Sequence, residues 1–85
     1  MSSIERAVNR GLLRHAVGNA MFCPVAPRAG AKACGKALDA KSAVAVWRDN
    51  RLVGIGCPDC LEPILASLEP EALEALEILR GRELS

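Results

Sequence analysis

Four cysteines are the side chains in this chain whose type and spacing suit a defined chemistry: Cys23, Cys34, Cys57 and Cys60. Cys57-Pro58-Asp59-Cys60 has the Cys-x-x-Cys spacing of a metal-ligand pair. Cys23 and Cys34 are ten residues apart internally. If that stretch, Pro24 to Ala33, is a loop, the chain presents two ligand corners separated by a hairpin. Four thiolates around one zinc ion close a tetrahedral coordination sphere and leave no position for water, which is a structural site and not a catalytic one. Three other chemistries compete with zinc. Free buried cysteines have no reason to pair as Cys-Pro-Asp-Cys. Disulfides fit the count but not a reducing compartment. Iron in a thiolate cage is the serious competitor, although such sites usually offer two matching knuckles and Cys60 is followed by Leu61, not glycine.

Neighbouring residues fit a metal corner. Gly35 stands directly behind Cys34, where the chain must curl its amides toward sulfur with a positive φ. Pro58 restrains the second corner, and Lys32 or Lys36 would moderate the charge of about −2 that four thiolates leave on zinc. His15, the single histidine, reads as a helix-surface residue. Other chemistry is missing. Gly54-Ile55-Gly56 lacks the following glycine of a phosphate loop, and there is no Ser/His/Asp order and no carboxylate pair with a reason for burial. Neither an enzyme nor a small-molecule substrate is expected.

The elements that must position the ligands follow from periodicity. Ser2-Ser3 before Ile4-Glu5-Arg6 caps a helix over residues 1–18, with Gly18-Asn19 as its stop. Ile4, Val8 and Leu12 are its apolar stripe, and Arg6, Arg10 and Arg14 lie about 200° round from them, on the opposite face. Ala20-Met21-Phe22 is extended and delivers Cys23. Residues 42–56 form a hairpin about Asp49-Asn50, since both residue types tolerate φ > 0. That turn sets Trp47 against Leu52, Val46 against Val53 and Val44 against Ile55. Ala43, Ala45, Gly54 and Gly56 make a low row that lets a helix or the metal corner approach closely. Pro63 would cost ~3 kcal/mol inside a helix, so a tight turn at Cys57–Cys60 should precede a helix from Glu62 or Pro63. Pro70 opens a last helix over 70–82, with Leu73, Leu76 and Leu79 on one face.

One domain is expected, with a zinc core over 20–68, because 85 residues sit near the size at which a core needs a staple. Phe22 and Trp47 are the only aromatics. No apolar run approaches a membrane span, and Arg6, Arg10 and Arg14 interrupt the start as no export signal would. A reducing, cytoplasmic setting is expected. The formal net charge of +1 conceals two halves. Residues 1–53 hold nine Lys/Arg against Glu5, Asp39 and Asp49; residues 54–85 hold Arg80 and Arg82 against seven acids. Such polarity suits nucleic acid at one end, or self-attraction.

Cys34-Gly35-Lys36, a hairpin, then Cys57-Pro58-Asp59-Cys60 and a helix resembles the treble-clef and zinc-ribbon class. It is similar in particular to small zinc-finger proteins common in phages of actinobacteria and in their hosts. The likeness covers about residues 20–68. Family members normally carry Cys-Pro-x-Cys-Gly-Lys at the first knuckle, whereas eight extra residues separate Cys23 from Cys34 here. The resemblance implies a zinc-stabilised hairpin over that stretch; with the helices read from periodicity, the expected fold is α+β, a treble-clef or zinc-ribbon-like hairpin flanked by an N-terminal helix and one or two C-terminal helices. It implies one Zn²⁺ on Cys23, Cys34, Cys57 and Cys60, and no activity, because the class shares none. Two roles are open. One is a regulatory protein-interaction adaptor, or a self-associating one, using Trp47, Leu73, Leu76 and Leu79. The other is a nucleic-acid-binding module using Arg6, Arg10, Arg14, Arg28, Lys32 and Lys36.

Overall fold

A computed structural model describes residues 3–26 and 28–84; the Ser2 cap and Pro27 of the loop lie outside the described residues. The element order is α1 (Ser3–Ala20), β1 (Val44–Arg48), β2 (Arg51–Gly56), α2 (Pro58–Ser67), α3 (Pro70–Glu74), β3 (Glu77–Arg80) and α4 (Gly81–Leu84). The architecture is α+β, a helix followed by a small antiparallel sheet of order β2-β1-β3 and short C-terminal helices. β1 is central, and each sheet face carries its own core. Leu13, Ala16, Ala43, Ala45, Ile55, Leu79 and Leu84 fill the α1 side. Val44, Val46, Leu61 and Leu65 fill the α2 side.

The hairpin turns where expected, with Asp49 at φ 51° and Asn50 at φ 65°. Its register departs from expectation. Arg48 pairs with Arg51 and Trp47 with Leu52, but Val46 then pairs with Gly54, Ala45 with Ile55 and Val44 with Gly56. Val53 is the extra residue of a bulge and is exposed. One residue of slip moves every later side chain to the other face. Ile55 thereby joins the α1 core, while Gly54 and Gly56 turn toward the α2 side. The physical reason is space. A Cβ on Gly56 would stand 2.9 Å from Val25 Cγ2, 3.2 Å from Cys23 Sγ and 3.2 Å from Leu61 Cγ. Only glycine at position 56 admits the cysteine corner to the sheet.

Helix α1 runs two residues past the expected stop, and Met21 leaves it at φ 63°. Its buried face also differs. Ile4, Val8 and Leu12 are 78%, 56% and 45% exposed, and the face against the sheet is Leu13 and Ala16 with half-buried Val17 and Ala20. Leu13 lies nine residues after Ile4, which at 100° per residue is about 180° round the helix. A spacing of three and four keeps Leu13, Ala16, Val17 and Ala20 on one side, whereas a strict four-residue step drifts about 40° each time. The small alanines then meet Ala43 and Ala45, both fully buried.

Two further expectations fail at the C-terminal side. Helix α2 starts at Pro58, directly after Cys57, and continues through Pro63. The bond Pro63 cannot make is to the carbonyl of Asp59. Both residues are exposed. The helix expected over 70–82 ends at Glu74, and Glu77–Arg80 is a strand on the free edge of β1. With both faces of β1 buried, its edge amides and carbonyls need partners. β3 supplies them, pairing Ala45 with Leu79 and Val46 with Ile78. Leu79 enters the α1 core and Ile78 packs on the other. Arg80 then reaches back to Glu62 of α2 at 2.6 Å.

Candidate metal centre

The stretch that sequence leaves as a loop brings Cys23 and Cys34 together by backbone pairing. Leu38 N–H donates to Met21 O at 3.0 Å, and Cys23 N–H to Lys36 O at 2.8 Å. Gly35 N–H donates to Cys23 O, and Cys34 N–H to Val25 O, both at 2.9 Å. Phe22 and Ala37 form an isolated antiparallel bridge in the same ladder. The extra residues between the ligands are thus the tip of a flap whose limbs are zipped beneath the cysteines. Gly35 sits at φ 71°, the conformation its place behind Cys34 demands.

The second pair comes from β2 and α2. Cys57 caps α2 and Cys60 lies in its first turn, with Cys60 and Leu61 N–H both donating to Cys57 O. A pair of ligands at the N-terminus of a helix faces unsatisfied amides and the positive end of the dipole, which suit thiolates. Cys57 N–H points at Cys23 Sγ, 3.4 Å away. The flap and the α2 corner therefore meet across the end of the hairpin.

The four sulfurs lie within 4.8 Å of one another, with Cys34 Sγ and Cys57 Sγ 3.9 Å apart. Four ligands at 2.3 Å in a tetrahedron are about 3.8 Å apart. The cluster thus has the donor type, number and spacing of a potential metal site, consistent with zinc. Cys23 and Cys57 are buried, Cys60 is half-buried and Cys34 is exposed. Burial and the neighbouring sulfurs of Cys57, Cys34 and Cys23 push the Cys60 thiol up to about 12. Burial raises the Cys57 thiol as well, but donation from the Cys60 amide and from the Cys60, Cys23 and Cys34 sulfurs leaves it below its usual value.

Lys36 stands over the site. Its ammonium donates to Asp59 Oδ2 at 3.2 Å. That contact, then the charges of Asp59, Cys57 and Cys34, raise its pKa. Lys36 belongs to one corner and Asp59 to the other, so the pair ties flap to helix outside the sulfurs. Asp59 was not singled out by sequence, although its place inside the Cys-x-x-Cys pair was the available signal. His15 bonds Asn19 on the surface of α1 at 3.2 Å and takes no part in the cluster.

The remaining site expectations divide. Arg10 and Arg14 line one pocket with Lys41, while Lys36 is committed at the metal corner and Arg28 and Lys32 ride on the flap. Leu79 is buried in the sheet, and Trp47, Leu73 and Leu76 are half-buried against the cores, so they offer no exposed leucine helix. No helix among the described residues is long and apolar enough to cross a membrane. Comparison of the chain with protein-family models, curated proteins and solved structures finds no significant match.

Proposed function

We propose that the chain is a structural-zinc module with no catalytic step, acting as a regulatory, protein-interaction adaptor of the kind its sequence resembles. The observation that carries this reading is the convergence of four thiol sulfurs at the spacing of one tetrahedral ion. Zinc is the metal that such a donor set suits when all four positions are filled by protein. A filled sphere leaves no site for a substrate. Elemental analysis of the purified protein is expected to show one equivalent of zinc per chain. Iron as the native metal, or two disulfides by mass, overturns the reading.

The interaction surface moves from the leucines of the last helix to the outer face of α1. Ile4 and Leu12 lie four residues either side of Val8, so an antiparallel second copy sets Ile4 against Leu12 and Val8 against itself. The groove beside this stripe carries Glu5 and Glu77 at its rim. The occupant proposed is therefore a second copy of this chain. Val8→Asp is expected to convert a dimer to a monomer in light scattering, without loss of zinc or helicity. A wild-type monomer at high concentration overturns it.

Nucleic-acid binding is the second reading. It is favoured by Arg6, Arg10 and Arg14, which are exposed and form no ion pair among the described residues. Binding by this face should weaken steeply with salt, and Arg10→Ala should reduce the slope by about one.

A further inference from the structure

Three basic residues line one pocket where α1, the turn before β1 and α4 meet. Arg10 and Arg14 from α1 and Lys41 from the turn line a pocket of about 220 Å³, walled by Ala40, Gly81 and Leu84. All three elements are held from behind. α1 is anchored by buried Leu13 and Ala16, and α4 by buried Leu84. The turn is clamped by Asp39, whose carbonyl accepts from Ser42 and Ala43 N–H at 3.0 and 2.7 Å. Asp39 Oδ1 accepts from Lys41 N–H at 2.9 Å. Gly81 completes the wall by donating its N–H to Ala43 O at 2.9 Å. A Cβ there would stand 2.6 Å from Lys41 C and 2.8 Å from Ser42 N. The pocket is built into the fold.

Its charge is not balanced by ion pairing. Arg10, Arg14 and Lys41 make no ion pair among the described residues. The nearest acids in sequence on the lining elements are engaged elsewhere, Asp39 on the Lys41 amide and Glu83 with Arg80 at 4.0 Å. Gathering three like charges costs free energy, and an anion entering the pocket relieves it. Two guanidinium forks and an ammonium match the oxygens of a tetrahedral dianion, which arginine binds through paired N–H donors. The pocket is smaller than the 300–1,000 Å³ of sites that enclose whole cofactors. It therefore fits one phosphate group, with the Leu84 and Ala40 wall against whatever carries it.

We propose that Arg10, Arg14 and Lys41 form a phosphate-binding pocket, which takes a phosphomonoester group. This stands apart from the zinc reading and from the apolar stripe of α1. It is narrower than the nucleic-acid reading, because it takes one phosphate in one pocket and leaves Arg6 outside it.

The test is an amide-resolved NMR titration of the zinc-loaded full chain with inorganic phosphate at pH 8, against sodium chloride of equal ionic strength. Saturable shifts confined to the pocket residues are expected, with a Kd of about 1 mM. Arg14→Gln and Lys41→Gln should each weaken binding about tenfold, as loss of a charged hydrogen bond does. Arg6→Gln, on the same helix, should leave it within about twofold. Lys41 sits in an exposed turn, so its variant keeps the test valid if a helix variant misfolds. Ribose 5-phosphate and 5′-phosphorylated and 5′-hydroxyl oligonucleotides then identify the bearer. Tighter binding of the sugar phosphate than of phosphate points to a small molecule. Tightening only with the 5′-phosphorylated strand points to a nucleic-acid end. Linear shifts matched by chloride, or equal weakening by Arg6→Gln, overturn the proposal.

Discussion

At the scale of single residues, the sulfurs and the glycine beneath them govern the metal corner. Cys60→Ser removes one ligand from the first turn of α2 and leaves Cys23, Cys34 and Cys57 as an open site. Loss of bound zinc and of most helical circular dichroism is expected, because binding and folding free energy are shared in such modules. Acid should do the same reversibly. Ligating thiols must be deprotonated, so stability from the metal is present at neutral pH and lost as pH falls, which a chromogenic chelator would report as zinc release. In the cluster without metal, one thiol has the opposite sign. The Cys60 thiol is raised from 9.0 to about 12, so whatever stability this group contributes is present below pH 9 and lost as pH rises toward 12. Gly56→Ala tests the approach of the corner to the sheet. Its Cβ meets Val25 and Cys23, and overpacking of this kind costs ~1–3 kcal/mol, visible in a thermal melt.

At the scale of elements, β3 and α1 make the sharpest contrast. Leu79 is 5% exposed in a strand that completes the sheet, whereas Leu12 projects from the outer side of α1. In denaturant unfolding at a concentration where the chain is monomeric, Leu79→Ala is expected to cost ~3 kcal/mol and Leu12→Ala less than ~0.5 kcal/mol. Equal costs would mean that the stripe is packed within one chain. The Arg80–Glu62 pair, at 2.6 Å and mostly shielded, joins β3 to α2, and the glutamate holds the arginine pKa above its usual value. This strand is thus held by main-chain pairing, by Leu79 beneath it and by a side-chain tie to the helix that begins at the cysteine cluster.

At the scale of the whole molecule, two thin cores lie on either side of three strands, with the four-cysteine cluster at the end of the hairpin. A chain of 85 residues buries a modest fraction of its surface. Zinc binding in small modules is on the order of 10 kcal/mol, comparable with the whole stability of a domain. Stripping zinc with a strong chelator is therefore expected to abolish the cooperative melt, and adding zinc back to restore it. A sharp melt in the stripped protein would show that the two cores suffice without the metal.

The sequence by itself determined which four cysteines cluster, the hairpin turn, the need for Gly35 and the presence of an N-terminal helix. Each of these rests on local chemistry: thiol type and spacing, tolerance of positive φ at Asp49 and Asn50, and helical periodicity. Tertiary structure decided the rest. The bulge at Val53 is chosen by the room Gly56 must leave for Cys23 and Val25, residues some thirty positions away along the chain. The buried face of α1 is chosen by the alanine row of β1, since Ile4, Val8 and Leu12 looked no less apolar than Leu13 and Ala16. Glu77-Ile78-Leu79-Arg80 continues a helical leucine pattern, and it becomes a strand because the edge of β1 needs hydrogen-bond partners. Periodicity describes one segment at a time; an open sheet edge and a crowded corner exist only when distant segments meet.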